Sequence, residues 1–246
     1  MNMRVPIEID GLEKYIKGFN ENSLNLLVGS ANSSKTLLGL QFLAGGSKRG
    51  EKTLYISLVQ PALEIKEDLS EYEIYIDDIY VFDAVPSSKK KEIEPYREVT
   101  FFTDSERFGE ITGLKRTREV DILALRETLK NIFDRSHYDR IVIDSLSALK
   151  IFYMRGLDSE LGMHAFIQFI LGTTSAAVLF LVDNFLDVKY IEKYMDTVLK
   201  LIEPEPSKRA ELEIVKYDDF INTVRFPLDI TLHGFVLNED ILKKRR

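Results

Sequence analysis

Short apolar runs punctuate this chain, and the segments between them carry helical spacing. Leu24–Val28 is such a run and reads as a strand buried in a parallel sheet. From about Lys35 to about Lys48 the apolar residues Leu37, Leu38, Leu40, Phe42 and Leu43 cover a broad face, as in a helix packed on a sheet, and Gly45-Gly46 with Gly50 are expected to end it. Thr53–Leu58 predicts a second strand, Pro61 the opening of a helix, and Ile79–Phe82 a shorter third strand. From about Pro86 to about Arg118 neither period holds, so a loop or short hairpin leaves the core there. The rhythm resumes with a helix from about Val120 to Ser136, the strand Arg140–Asp144, a helix around Ser159–Leu171 and the strand Ala177–Val182. The last third holds Thr197–Ile202, Ala210–Tyr217, Thr223–Leu228 and Gly234–Leu237 with no helical stretch between them, which implies antiparallel strands added to the sheet. The expected fold is α/β: a mainly parallel sheet with helices on both faces and an antiparallel β extension at the C-terminus, forming one domain over residues 1–246 with a surface excursion at about 86–118.

Composition narrows the function classes. A chain of 246 residues can bury a substantial core. No apolar run approaches the roughly 20 residues that span a bilayer, and Met1-Asn2-Met3-Arg4-Val5-Pro6 lacks the apolar stretch of a secretory signal, so the expected location is cytoplasmic, without membrane contact. Cysteine is absent, which removes disulfides and thiolate metal sites, and the richness in Lys, Glu and Ile is in line with a thermophilic source. A formal charge of −7 is the wrong sign for a dedicated nucleic-acid binder, so nucleic acid is not an expected partner. Lys243-Lys244-Arg245-Arg246 is the one dense basic run and reads as a solvated tail.

The candidate chemistry begins after the first apolar run. Gly29-Ser30-Ala31-Asn32-Ser33-Ser34-Lys35-Thr36 matches the phosphate-loop pattern G-x-x-x-x-G-K-[ST] at every fixed position except the second glycine, where Ser34 stands. Such a loop cradles nucleotide phosphates in backbone N–H groups, points its lysine at the β- and γ-phosphates, and offers a hydroxyl to Mg²⁺. Gly29, Ser33, Ser34, Lys35 and Thr36 are therefore the candidate cofactor-binding residues. Asp144, an acid at the end of an apolar strand, is the candidate partner of Thr36 for Mg²⁺. Serine at position 34 takes room where backbone and phosphate approach most closely. It also favours a helix start, so the loop is expected to keep its shape and to hold at most a small anion, with ATP and Mg²⁺ possible but weakened and neither needed for folding.

These residues resemble the KaiC-like branch of the RecA-type ATPases. Asp10-Gly11-Leu12-Glu13, the loop itself, Gln41-Phe42-Leu43, Leu54-Tyr55-Ile56-Ser57-Leu58, Arg140-Ile141-Val142-Ile143-Asp144-Ser145-Leu146-Ser147-Ala148-Leu149 and Asp196-Thr197-Val198 carry the likeness, which spans nearly the whole chain outside the excursion. The resemblance implies a RecA-like core that assembles into rings with ATP held between subunits. It also implies a cis peptide bond at Asp144–Ser145.

Three departures point to a degenerate member. In active relatives acidic residues after the second strand polarise water, and Val59 and Gln60 stand there instead. Relatives carry a Lys-x-Arg element that reaches the γ-phosphate of the adjacent subunit; the match is Lys216-Tyr217-Asp218, so Lys216 is a cofactor-binding candidate in trans while Asp218 replaces the arginine. Ser34 is the third. The expected function is a non-hydrolysing homologue acting by assembly or partner binding, as a homo-oligomeric ring or docked on an active relative. The alternative is a working ATPase, or a recombination or signalling accessory.

Smaller expectations follow. Leu24–Val28 and Arg140–Ile143 should be adjacent central strands, so that the loop meets Asp144. If the loop is empty, Lys35 could pair with Asp144. Asp183-Asn184 reads as a turn, His137, His164 and His233 lack metal-ligand spacing, and Tyr190 and Tyr194 share a face for packing. Phe101-Phe102 is expected to dock on the protein's own core or on a neighbouring subunit, and with Phe152-Tyr153 it is the aromatic pair that would supply an apolar contact between subunits.

Overall fold

The computed structural model describes residues 4–31, 33–76, 78–85, 100–101, 122–154, 158–184, 189–203, 209–218 and 223–244. Along the chain, β1 (Arg4–Val5) and β2 (Phe19–Asn20) form a small antiparallel ribbon. The main elements then run β3 (Leu24–Val28), α1 (Lys35–Ser47), β4 (Thr53–Ser57), α2 (Ala62–Asp68), β5 (Tyr80–Asp83), β6 (Thr100–Phe101), α3 (Ile122–Arg135) and β7 (Arg140–Asp144). A short turn of helix, α4 (Leu146–Ala148), runs on into one wide turn (Leu149–Tyr153), and α5 (Ser159–Thr173) and β8 (Ala177–Val182) come later in the chain. The C-terminal strands are β9 (Thr197–Ile202), β10 (Arg209–Tyr217), β11 (Val224–Thr231) and β12 (Gly234–Leu237), closed by α6 (Glu239–Lys244).

Ten strands form one sheet in the order β12-β11-β10-β9-β3-β8-β7-β4-β5-β6. From β9 to β5 every pairing is parallel, and β10, β11 and β12 extend it antiparallel. The strand alternation sorts side chains to two cores. Leu26, Ile56, Ile141, Ile143 and Phe180 face α3, α4 and α5, while Leu27, Tyr55, Val142, Leu179 and Leu181 face α1 and α2. Of the 86–118 excursion only residues 100–101 are described; they pair antiparallel with β5, and the remainder, with Phe102, lies outside the described residues.

Two expectations are corrected. β3 and β7 are not adjacent, because β8 lies between them, paired with both. The crossover from β3 through α1 lands on β4, leaving room for two strands that arrive later in the chain, and α1 spans this gap by packing on β4, β7 and β8. The Gly45-Gly46 pair does not end α1, which runs to Ser47. Instead Gly46 opens the helix surface to a buried cation: a Cβ there would lie 2.6 Å from Arg140 Nε. Arg140 is fully buried and donates to Glu8 at 2.8 Å, to the Phe42 carbonyl at 2.8 Å and to Glu51. Burial alone would raise Glu51, but its bonds to Arg140 and Arg49 hold it below the ordinary carboxylate range.

Candidate functional site

The carboxyl ends of five neighbouring strands converge on the loop that joins β3 to α1, the crevice where open α/β sheets place their ligands. In sheet order these ends carry Glu203 after β9, Gly29 after β3, Asp183 after β8, Asp144 on β7, and Val59 beyond β4. Gly29 N–H donates to the Val182 carbonyl at 3.0 Å, which fixes the loop to β8. A Cβ at Gly29 would stand 2.4 Å from Ser33 Oγ, so a side chain there would require that hydroxyl to turn away. Ser33 N–H closes the turn on the Ser30 carbonyl at 2.9 Å.

Of the residues expected at the site, Lys35, Thr36 and Asp144 meet. Thr36 Oγ1 donates to Asp144 Oδ2 at 2.7 Å. Lys35, 4% exposed, donates to the Ser30 carbonyl at 2.9 Å and pairs with Asp183 at 2.7 Å. The expected Lys35–Asp144 pair is thus replaced by Lys35–Asp183, with Asp144 contributing its field. Asp183 is more than a turn residue. It stands on the one lysine of the loop because β8, not β7, is the strand next to β3. Ser34 occupies the position before α1 as expected, yet its side chain makes no capping bond.

Two further residues carry the site. Tyr55, fully buried in β4, donates its hydroxyl to Asp144 Oδ2 at 2.6 Å. Burial raises Asp144 above the ordinary carboxylate range, against the opposing pull of Tyr55, Thr36 and Lys35. Burial and the Asp144 charge push Tyr55 well above its usual value. At the other side, Glu203 Oε2 accepts from Ser34 N–H at 2.9 Å. Nothing in the sequence marks Tyr55, an inward strand residue. Glu203 opens a Glu-Pro-Glu-Pro stretch that reads as plain loop.

Lys216 is not with the others. It pairs in register with Val198 near the amino end of β9, and its amine donates to the Met195 carbonyl, at the end of the sheet opposite the loop. Asp218 is bound within the chain by Arg4 at 2.8 Å and by Asn20 at 2.7 Å. The bond to Arg4 leads in holding its carboxyl below the usual range. At the end of β4, Val59 is 52% exposed, and Gln60 donates to Asp68 at 2.6 Å. The Phe152-Tyr153 pair is also corrected: Tyr153 is buried and bonded to the Ala84 carbonyl, and Phe152 packs on the core. His164 packs edge-on against Tyr190 and Tyr194, and among the described residues no cluster of acids and histidines could hold a metal by itself. A separate cleft of about 240 Å³ at the far end of α1 is lined by Glu8, Arg49, Glu73 and His233, which pair among themselves.

A loop of the phosphate-binding pattern between β3 and α1, with a hydroxyl–carboxylate pair at its mouth, gives this α/β protein the architecture of the P-loop class. The sequence model of the family described as "ATPase: KaiC" matches residues 5–238, so the chain belongs to the KaiC-like ATPase family. The cis Asp144–Ser145 bond expected from the resemblance is present. The solved structure of KaiC-like protein PH0186 from the hyperthermophilic archaeon Pyrococcus horikoshii OT3 superposes with a TM-score of 0.70 at 15% identity, covering 96% of this chain and 99% of its own, which supports the RecA-like fold. UPF0273 protein PH0284 from Pyrococcus horikoshii is 24% identical over 159 residues, covering 61% of this chain and 58% of its own length. A UPF0273 protein from Thermotoga maritima is 25% identical over 155 residues, covering 61% of this chain and 59% of its own. The matches thus span just under six-tenths of these relatives. No helix among the described residues is long and apolar enough to cross a membrane.

Proposed function

We propose that this chain is a catalytically silent KaiC-like ATPase homologue that acts by assembling with itself or with an active relative, and that it binds ATP weakly. The observation carrying this reading is the end of β4. The position where an acid would activate water holds a half-exposed valine, and the neighbouring glutamine is engaged by Asp68. Loss of a positioned general base removes about 10²–10⁴ in rate. The position expected to carry an arginine for the adjacent subunit holds Asp218, neutralised by Arg4, and loss of such an arginine removes about 10³–10⁵.

The residues present still fit the cofactor in part. Thr36 Oγ1 and the Asp144 carboxylate, 2.7 Å apart, suit a hydrated Mg²⁺ ion. Lys35 and the first-turn N–H groups of α1 would hold the phosphates. When bound, the ion would neutralise phosphate charge. Lys216, at the far end of its own sheet, would serve only a second copy, which is what links the site to assembly. The neutral pair at β4 and the net charge of −7 give no support to a hydrolytic or DNA-binding role.

Calorimetric titration with Mg-ATP tests the reading. The expected result is a weak, saturable binding heat without the continuing heat of turnover. Sustained heat that tracks phosphate release would restore the working-ATPase alternative.

A further inference from the structure

The carboxylate at the phosphate loop comes from the chain itself. Glu203 follows directly on β9, a strand bonded to β3 on one side and β10 on the other, so its side chain is presented by the sheet. Its Oε2 accepts from Ser34 N–H at 2.9 Å, at the start of α1, where a helix N-terminus favours an anion. The other oxygen, Oε1, is buried and makes no hydrogen bond among the described residues, and the same holds for Ser33 Oγ of the loop.

The charges around the loop are unbalanced. Lys35 is already paired with Asp183 and lies in the field of Asp144, so Glu203 brings a third carboxylate to a loop that carries one lysine. One backbone bond and a helix terminus retain it, with half of its acceptor capacity unused. A phosphate bearing two or more negative charges and this carboxylate repel each other and want the same N–H.

We propose that Glu203 is a built-in competitor for the phosphate loop, occupying the place of an incoming phosphate at Ser34 N–H, so that a nucleotide enters only by displacing it. This rests on the reading of the loop as a surviving anion site, and it locates the weakness of binding in Glu203 as well as in Ser34. Release of β9's end from the loop then accompanies nucleotide entry, which couples occupancy to the strand that borders the antiparallel extension.

The test compares wild type, Glu203→Gln and Glu203→Ala. Glutamine keeps the size and an acceptor for Ser34 N–H but removes the charge; alanine removes both. Calorimetry with Mg-ATP, and separately with inorganic phosphate, is expected to give affinities in the order Ala, Gln, wild type. The alanine variant should gain about 10- to 100-fold, the worth of a charge-assisted hydrogen bond. Hydrogen exchange without ligand gives an independent reading: the Ser34 amide should exchange faster in the alanine variant. Equal affinities in the three proteins, silence in all three, or unchanged exchange at Ser34 overturns the proposal. Turnover is measured on the same samples. A gain in affinity with turnover at background supports both readings, and a gain with real turnover supports the competition while overturning catalytic silence.

Discussion

Replacing Tyr55 with phenylalanine removes one oxygen from the middle of the sheet and leaves Asp144 Oδ2 with the Thr36 bond. Tyr55 is fully buried and Asp144 is 5% exposed, so water cannot replace the lost donor freely. A hydrogen bond to an ionised group is worth about 1.5–3 kcal/mol and a neutral one about 0.5–1.5 kcal/mol. The cost therefore depends on the charge of Asp144. Because burial raises Asp144 in the folded state, the wild-type contribution is fully present below its ordinary value and is lost as pH rises through the raised one. Tyr55→Phe removes a bond that favours the ionised form and moves that folded value higher still. The variant should fall behind wild type by about 1.5–3 kcal/mol at pH 8 and by less at pH 4. At about 2–4 °C per kcal/mol for a domain of this size, the melting point drops by roughly 3–12 °C at the higher pH. Urea unfolding at both pH values reads the difference directly. An equal loss at both, or a larger loss in acid, would refute the reasoning that ties Tyr55 to the charge on Asp144.

Gly46→Ala should destabilise by about 1–3 kcal/mol despite alanine's better helix propensity, since the added carbon lies 2.6 Å from the fully buried Arg140; a neutral or raised melting temperature would show that the Arg140 site can yield. Asp218→Asn should cost at most about 1 kcal/mol at neutral pH, the pair with Arg4 being part-exposed. Because Asp218 is held below its ordinary value, that contribution is present above the ordinary value and lost as pH falls through the lowered one, so denaturation curves of variant and wild type should converge in acid. Light scattering at high concentration, with and without Mg-ATP, should find self-association; a monodisperse monomer in both would leave only the assembly with an active relative.

The linear signals of the sequence carried most of the fold. Leu24–Val28, Arg140–Asp144 and Ala177–Val182 are apolar runs bounded by glycine, aspartate or a threonine-serine pair, and their spans in the structure match the pattern residue for residue. Strand order was not legible, because β7 and β8 are equally apolar and nothing in either says which one lies beside β3. That single ambiguity hid the Lys35–Asp183 pair, since an acid at the end of β8 reads as a turn until β8 is known to flank the loop. Tyr55 and Glu203 were invisible for a different reason. Each acts through a contact between residues 89 and 169 positions apart in the chain, and neither belongs to a spaced motif. Tyr153 reads as a surface aromatic beside Phe152, but the wide turn after α4 rotates it into the core.

Steady-state ATP hydrolysis by the wild-type chain beside a Lys35→Ala variant puts the catalytic silence of the loop to the test. Lys35 is the one lysine on the loop, and its removal leaves Asp183 to solvent, so any turnover by this site must depend on it. Phosphate release by wild type should be no faster than by the variant, with and without Mg²⁺. Wild-type turnover that is Mg²⁺-dependent and abolished by Lys35→Ala would contradict it.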